Sequence, residues 1–401
     1  MRHCFLAAAL LAAGGPLRAQ DIALEPLVDA RLRYETASQQ DLADDADALT
    51  ARLRGGVQAS SGPVSALVEG EGTLALINRY YDGLRGMAKR PLVADPQDIA
   101  LYRAQLQYRS EALVLTGGRQ RLAFDDERFV GNVAFRQNAQ TFDAVKGEVL
   151  VFEGVKFDVA YAWSVRTIWG VDGAGARPRS IDGDNLFANL SAATPFGTVT
   201  GFAYLVDQDE AAVQGYRLSS QTYGGRLTGA RQIGRGIKLG YVLSYARQSD
   251  YHRNPNRFAA RYWLGEATLD VKALRLNAGY ERLGASGGGA LTSFQTPLGT
   301  NFKFQGWADK FLTTPPNGIG DLYLGGGYGW TRVGKIDAIS VQAVWHDFRS
   351  DRLDQHYGSE IDLLATAKVR KASISARYAR YQADAFGADT RRLWLQIDWT
   401  Y

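Results

Sequence analysis

The sequence predicts an all-β protein: a transmembrane, antiparallel, up-and-down β-barrel of about 18 strands, with long extracellular loops and short periplasmic turns. Three observations carry this. The chain ends on an amphipathic strand, T-R-R-L-W-L-Q-I-D-W-T-Y, with Leu393, Leu395, Ile397, Trp399 and Tyr401 on one face and Arg392, Gln396, Asp398 and Thr400 on the other. A strand of about 9–11 residues with its apolar face toward lipid is the unit of such a barrel, and the aromatics suit the membrane–water interface. Long and short connections alternate along the chain. No apolar run of about 18 residues follows the first twenty positions, so no transmembrane helix is available.

The N-terminus reads as a secretory signal. Met1-Arg2-His3 is a basic start, Phe5 to Ala13 an apolar core, and Leu17-Arg18-Ala19 a cleavage site before Gln20, too short to span a membrane. Two regions are expected: 1–19, the signal peptide, and 20–401, a single barrel. Cys4 is the one cysteine and falls inside the signal, which excludes disulfide and thiolate chemistry from the rest. Mean hydropathy is −0.23, compatible with strands that give only half their residues to lipid. The net charge of +4 loses two units with Arg2 and Arg18, so charge alone argues against a nucleic-acid partner.

Period-2 runs place strands near 27–37, 46–60, 63–77, 99–109, 112–119, 141–152, 155–167, 184–194 and 198–207. They continue near 217–231, 237–248, 258–271, 274–283, 321–332, 336–348, 357–369, 372–382 and 390–401. Short turns fall at Ser61-Gly62, Glu153-Gly154, Pro195 to Gly197, Ile233 to Gly236, Lys272-Ala273, Val333 to Lys335 and Arg370-Lys371. The intervening segments 38–45, 78–98, 120–140, 168–183, 208–216, 249–257, 284–320, 349–356 and 383–389 are the longer outer loops. A barrel this wide leaves a water-filled lumen unless loops fold into it.

Alternation assigns the faces. In the first strand Val28, Ala30, Leu32 and Tyr34 face lipid and Asp29, Arg31, Arg33 and Glu35 the lumen. In the seventh, Phe157, Val159, Tyr161, Trp163 and Val165 face lipid, with Lys156, Asp158, Ser164 and Arg166 inside. The same rule sends Arg52, Arg54, Glu69, Glu71, Arg103, Arg226, Lys368 and Arg377 into the lumen, because Arg or Lys on the lipid face at mid-depth costs about 2–4 kcal/mol.

One segment breaks the alternation. Between 119 and 143, Arg119, Arg128 and Arg136 crowd with Asp125, Asp126 and Asp143. Turned inward, it would set the arginines as an anion-attracting constriction with the acids holding them in place. Left outside, it is a solvated loop whose ion pairs hold its shape, and the filter lies among Arg31, Arg33, Arg52, Arg103 and Arg377. Residues alone leave both readings open.

The motif G-R-Q-x-L-x-x-D-D-x-R-F-V-G-N-V-x-F-R-Q-N-x-Q-T-F-D, Gly118 to Asp143, resembles the signature of the alginate-export family of outer-membrane porins. The stretch from Phe294 to Asp321, with Phe304-Gln305-Gly306-Trp307-Ala308-Asp309-Lys310-Phe311-Leu312 at its centre, resembles the same family. The resemblance implies an 18-stranded barrel with an arginine-rich pore for an anionic polysaccharide.

An enzyme needs a nucleophile with a base. His252, His346 and His356 belong to no Ser/His/acid, HExxH or GxSxG pattern, and Asp125-Asp126-Glu127 lacks calcium-loop spacing. The expectation is therefore a non-enzymatic channel without metal or cofactor. Acidic polysaccharide or oligosaccharide would pass passively and anion-selectively through the lumen, because arginine's planar, permanently charged fork matches a carboxylate. A general or small-anion porin is the alternative, followed by a surface receptor or adhesin or an outer-membrane lipid hydrolase. Expected partners are outer-membrane lipid, the barrel-assembly machinery and periplasmic export components, around a monomeric barrel in the Gram-negative outer membrane.

Overall fold

The computed structural model describes residues 22–401; the expected signal segment and cleavage site, with Cys4, lie outside the described residues. Eighteen antiparallel strands, β1 (Ala23–Gln39) to β18 (Thr390–Thr400), form one sheet in which each pairs with its chain neighbours. β1 also pairs with β18, from Asp29↔Thr400 to Gln39↔Thr390, so the sheet closes and no edge remains at that seam. The strands are β2 Ala46–Ser61, β3 Val64–Arg79, β4 Asp98–Arg109, β5 Leu113–Gln120, β6 Thr141–Phe152, β7 Val155–Arg166, β8 Ser180–Thr194 and β9 Gly197–Val206. They continue as β10 Ser220–Gly234, β11 Ile237–Asp250, β12 Ala259–Val271, β13 Leu274–Leu283, β14 Ile319–Val333, β15 Ile336–Arg349, β16 His356–Val369 and β17 Ala372–Ala383. Each lies within a few residues of its expected position, and the long and short connections sort to opposite rims.

The outer wall is apolar and exposed. Leu32, Leu53, Leu106, Trp163, Leu324 and Ile397 each leave more than a third of their surface uncovered. Only an apolar surrounding solvates such a band favourably. The inner face carries the charges. Arg33, Glu35, Arg52, Arg54, Glu69 and Glu71 on β1–β3 are all buried.

Two departures from simple alternation matter. Between β3 and β4 the register slips from Glu69↔Arg103 to Gly70↔Leu101, so Tyr102 is the extra residue of a β-bulge. Both Tyr102 and Arg103 then point inward, with the Arg54 guanidinium 3.9 Å from the Tyr102 ring centre. A second irregularity, between Ala162 and Ser164, shifts β7. Val165 is consequently buried in the internal apolar cluster rather than facing lipid, which corrects the alternation rule at that position.

Candidate functional site

Beyond Gln120 the chain leaves the wall. The 121–140 loop touches side chains of β1, β2, β8, β9, β10 and β13, which only a segment inside the ring can do. Its first half is driven in by apolar residues. Leu122, Phe124 and Val130 are buried with Phe187 of β8 and Tyr204 of β9, and Phe129 packs edge-on to Tyr262 of β12 at 5.1 Å. Asp125 accepts hydrogen bonds from Asn189 Nδ2 and Tyr204 Oη, each at 3.1 Å. Burial pushes its carboxyl above the usual range, against the pull of Arg226 and these donors. Asp126 lies 2.9 Å from Arg226 of β10.

The 284–318 loop enters from β13 and meets it. Val130 and Leu298 form a short parallel bridge, with the Gly131 N–H donating to the Leu298 carbonyl at 2.9 Å. The approach is close enough that a Cβ at Gly131 would strike the Thr300 hydroxyl and one at Gly299 the Arg128 carbonyl. Glycine is required at both.

Two buried arginines brace the junction. Arg128 Nε donates to Glu281 Oε1 of β13 at 2.6 Å, and Tyr262 Oη donates to the same oxygen at 2.8 Å. Arg136 pairs with Asp309 of the second loop. Burial works against both charges, but the neighbouring acids outweigh it and hold both guanidiniums above their ordinary pKa. The second loop is fixed to β16 through the Trp307 N–H on Asp362 (3.2 Å) and the Ala308 N–H on Glu360 (2.7 Å).

The tip of the first loop reaches β1 and β2. Arg31 Nη1 lies 3.1, 3.0 and 3.2 Å from the carbonyls of Ala134, Phe135 and Arg136, and Arg33 Nη2 donates to the Phe135 carbonyl. Gln137 Nε2 donates to Thr50 Oγ1 at 2.8 Å, and its N–H to Asp95 Oδ1 at 2.7 Å. Asp95 comes from a third inward segment, the 80–97 loop.

The wall beneath is an arginine row: Arg31 and Arg33 on β1, Arg52 and Arg54 on β2, Arg103 on β4, Arg119 on β5. Each has a carboxylate partner, in order Asp398, Asp95, Asp29, Glu71, Glu69 and Asp143. Those pairs use only part of the donors. Arg52 Nε and Nη1 and Arg54 Nη2 are buried without a hydrogen-bond partner among the described residues, as are the hydroxyls of Thr73 and Tyr102 beside them. Arg377 of β17 has no carboxylate partner among the described residues, and its guanidinium lies 4.4 Å from the Trp307 ring centre. The facing strands carry acids: Glu281, Asp321, Glu360 and Asp362 on β13, β14 and β16, with His346 Nδ1 2.9 Å from Asp321. Between the inward loops, a cavity of about 460 Å³ is lined by Arg136, Lys310 and Arg392 among others. Burial and nearby Arg392 lower the Lys310 amine to a pKa of about 8.

The expected site residues therefore divide. Arg119 and Asp143 do pair, bidentately at 2.7 and 2.9 Å, but on adjacent strands of the wall rather than in the loop. Arg128 and Arg136 are loop residues, but Glu281 and Asp309 hold them, not Asp125 and Asp126, which bind β8–β10 instead. Both are almost fully covered, so they act as struts and not as exposed attractors. Lys368 lies exposed beside the turn to β17, away from the loops. The missed participants are Phe135, Phe302, Trp307, Glu281 and Asp309. For the aromatics of the second loop the signal was apolar density: a solvated outer loop does not carry Phe294, Phe302, Phe304, Trp307 and Phe311; the two acids had none. The three histidines among the described residues bond to carboxylates: His252 to Asp207, His346 to Asp321, His356 to Asp347 and Asp384.

No protein-family profile and no curated protein matches the chain. Solved structures do match in fold. OccK8 (OprE) of Pseudomonas aeruginosa is 12% identical with a TM-score of 0.68, covering 94% of this chain and 98% of its own. OccAB4 of Acinetobacter baumannii is 13% identical at 0.67 over the same shares. Pseudomonas aeruginosa OpdK, solved with vanillate, is 11% identical at 0.64, again over 94% and 98%. The fold is that of these outer-membrane porins. These matches show the barrel fold and give no support to the alginate-export family in particular.

Proposed function

We propose that the protein is a passive, anion-selective channel of the Gram-negative outer membrane that conducts acidic saccharides, with oligouronates of the alginate type as the substrate class. The observation that carries this is the arginine row on β1, β2, β4 and β5, in which the Arg31, Arg103 and Arg119 side chains stay partly exposed to the lumen while Arg52 and Arg54 add unpaired N–H groups behind them. A carboxylate sliding along it can exchange hydrogen bonds from one guanidinium to the next. The paired acids keep each grip weak enough for release. The two motifs that resemble the alginate-export family coincide with the two loops that meet in the lumen, which supports the same reading.

A small-carboxylate channel is the second reading. The three inward segments favour it, since a packed constriction suits a compact acid better than a polymer, and vanillate is the ligand named with OpdK. Planar-bilayer reversal potentials in a salt gradient, followed by block with uronate oligomers, uronate monomers and neutral oligosaccharides, test both. Anion preference with block by oligomers supports the first reading, and block by monomers alone supports the second. Equal permeability to cations and anions would overturn both.

A further inference from the structure

The donors that a passing carboxylate would use on Arg31 and Arg33 are already occupied by the protein itself. Three successive carbonyls, of Ala134, Phe135 and Arg136, converge on Arg31 Nη1 at 3.0–3.2 Å, and the Phe135 carbonyl also takes Arg33 Nη2. One nitrogen with two hydrogens serves three acceptors, so none of these bonds is strong.

The segment that delivers them is closed on itself. The Gln140 N–H donates to the Asn132 carbonyl at 2.8 Å, pinching residues 133–139 into a small closed loop. Its neck is fixed, because Gln140 Nε2 also donates to the carbonyls of Gly131 and Leu298. Just inside the neck Val133 has φ of 51°, a left-handed conformation that a β-branched residue rarely adopts and that relaxes if the tip swings away.

We propose that residues 134–137 form an autoinhibitory plug that mimics the anion, and that an acidic solute opens the pore by displacing these carbonyls from Arg31 and Arg33. The proposal rests on the anion-pathway reading above and adds its regulation. A charged acceptor makes shorter and roughly twice stronger hydrogen bonds to a guanidinium than a neutral carbonyl does. The exchange is therefore favourable for a carboxylate and unfavourable for a neutral sugar. Besides the carbonyls, the tip is held by the Phe135 contacts with Phe302 and Trp394, the Arg136–Asp309 pair, and the Gln137 hydrogen bonds to Thr50 and Asp95, and together they set how much solute is needed.

The test uses the purified full-length barrel in planar bilayers, with sodium glucuronate as probe and glucose as the neutral control. Glucuronate should raise the open fraction by about tenfold, the size expected when one charge-assisted hydrogen bond replaces a neutral one, and glucose should leave it unchanged. Ala139→Cys reports the movement independently, since Ala139 is buried under the tip. A neutral thiol reagent should label it faster with glucuronate than with glucose. The double variant Phe135→Ala/Gln137→Ala should be more open than wild type without solute and need less glucuronate to open fully, with Gln137→Ala alone intermediate; heat-modifiable migration establishes that each is folded. Equal open fractions and labelling rates in glucuronate and glucose would overturn the plug, as would a folded double variant as closed as wild type. Reversal potentials separate the two layers. Retained anion preference with no glucuronate response removes the plug alone, whereas lost anion preference removes the pathway on which it rests.

Discussion

The rings of Phe135 and Phe302 stack with centroids 3.5 Å apart and planes within 6°. Phe135 belongs to the loop between β5 and β6, Phe302 to the loop between β13 and β14, and the stack joins two elements that enter the lumen from opposite sides. Arg33 lies 4.1 Å from the Phe135 ring centre, and Arg377 lies 5.0 Å from both rings. Charge and aromatic surface thus alternate where the two inward loops meet. An aromatic pair contributes about 0.5–1.5 kcal/mol beyond its buried area, enough to fix the two tips without locking them.

Removing a strut should cost more than removing a wall arginine. Arg128→Met leaves Glu281 buried without its cation, a change worth about 3–5 kcal/mol. The midpoint of heat-modifiability should fall, and adding Glu281→Gln should restore part of it. An Arg128→Met barrel with the wild-type midpoint would show that the pair braces nothing.

Wall arginines should instead change selectivity. Arg52→Ala and Arg377→Ala should each reduce anion preference in reversal-potential measurements, more so at low salt, where screening is weakest. Lys368→Ala, at the solvated rim beside the turn to β17, should have little effect. A larger effect from Lys368 than from Arg52 would move the filter to the periplasmic mouth.

Much of this was legible in the sequence, and what was not has a physical cause. Strands and connections follow from period 2 and from turn chemistry, both local. The partners of Arg128 and Arg136 are not local. Glu281 and Asp309 lie 153 and 173 residues further on, and nothing in the neighbouring sequence distinguishes them from Asp125 and Asp126. The inward course of the 284–318 loop was readable from its aromatics but hidden by its glycines and prolines, which imitate a solvated loop. Bulges such as that at Tyr102 depend on how two strands fit each other, and one strand's pattern cannot reveal them.

The Lys310 amine gives the channel a pH dependence with a definite sign. Its pKa of about 8, against an ordinary 10.5, means that the charge between the inward loops is present at pH 7 and lost by pH 9. Anion preference should fall across that interval, and Lys310→Gln should flatten the fall. Because folding lowers this pKa, the protonated amine disfavours the folded state below about 8. That penalty fades as pH rises toward the ordinary value. An unchanged pH profile in Lys310→Gln would assign the titration to another group.

Deleting Trp399 to Tyr401 should prevent assembly rather than alter conduction. Trp399 pairs with Ala30 on one side and Ala372 on the other, and the Tyr401 N–H donates to the Val28 carbonyl at 2.9 Å. Without them β1 keeps an unpaired edge at its periplasmic end. Truncated protein should be several-fold scarcer in heat-modifiable form, and normal amounts would refute the prediction.

The seam between β1 and β18 is the one junction of the ring that no hairpin makes, and it joins the two ends of the chain. Arg31 and Arg33 grip the 121–140 tip from one side of it, and Trp394 of β18 packs on Phe135 and Phe302 from the other. The loops that narrow the passage thereby also clasp the wall at its most remote contact. A solute that lifts the tip unfastens part of that clasp, so conduction and mechanical integrity are coupled: the barrel should resist lateral rupture best when the tip is down.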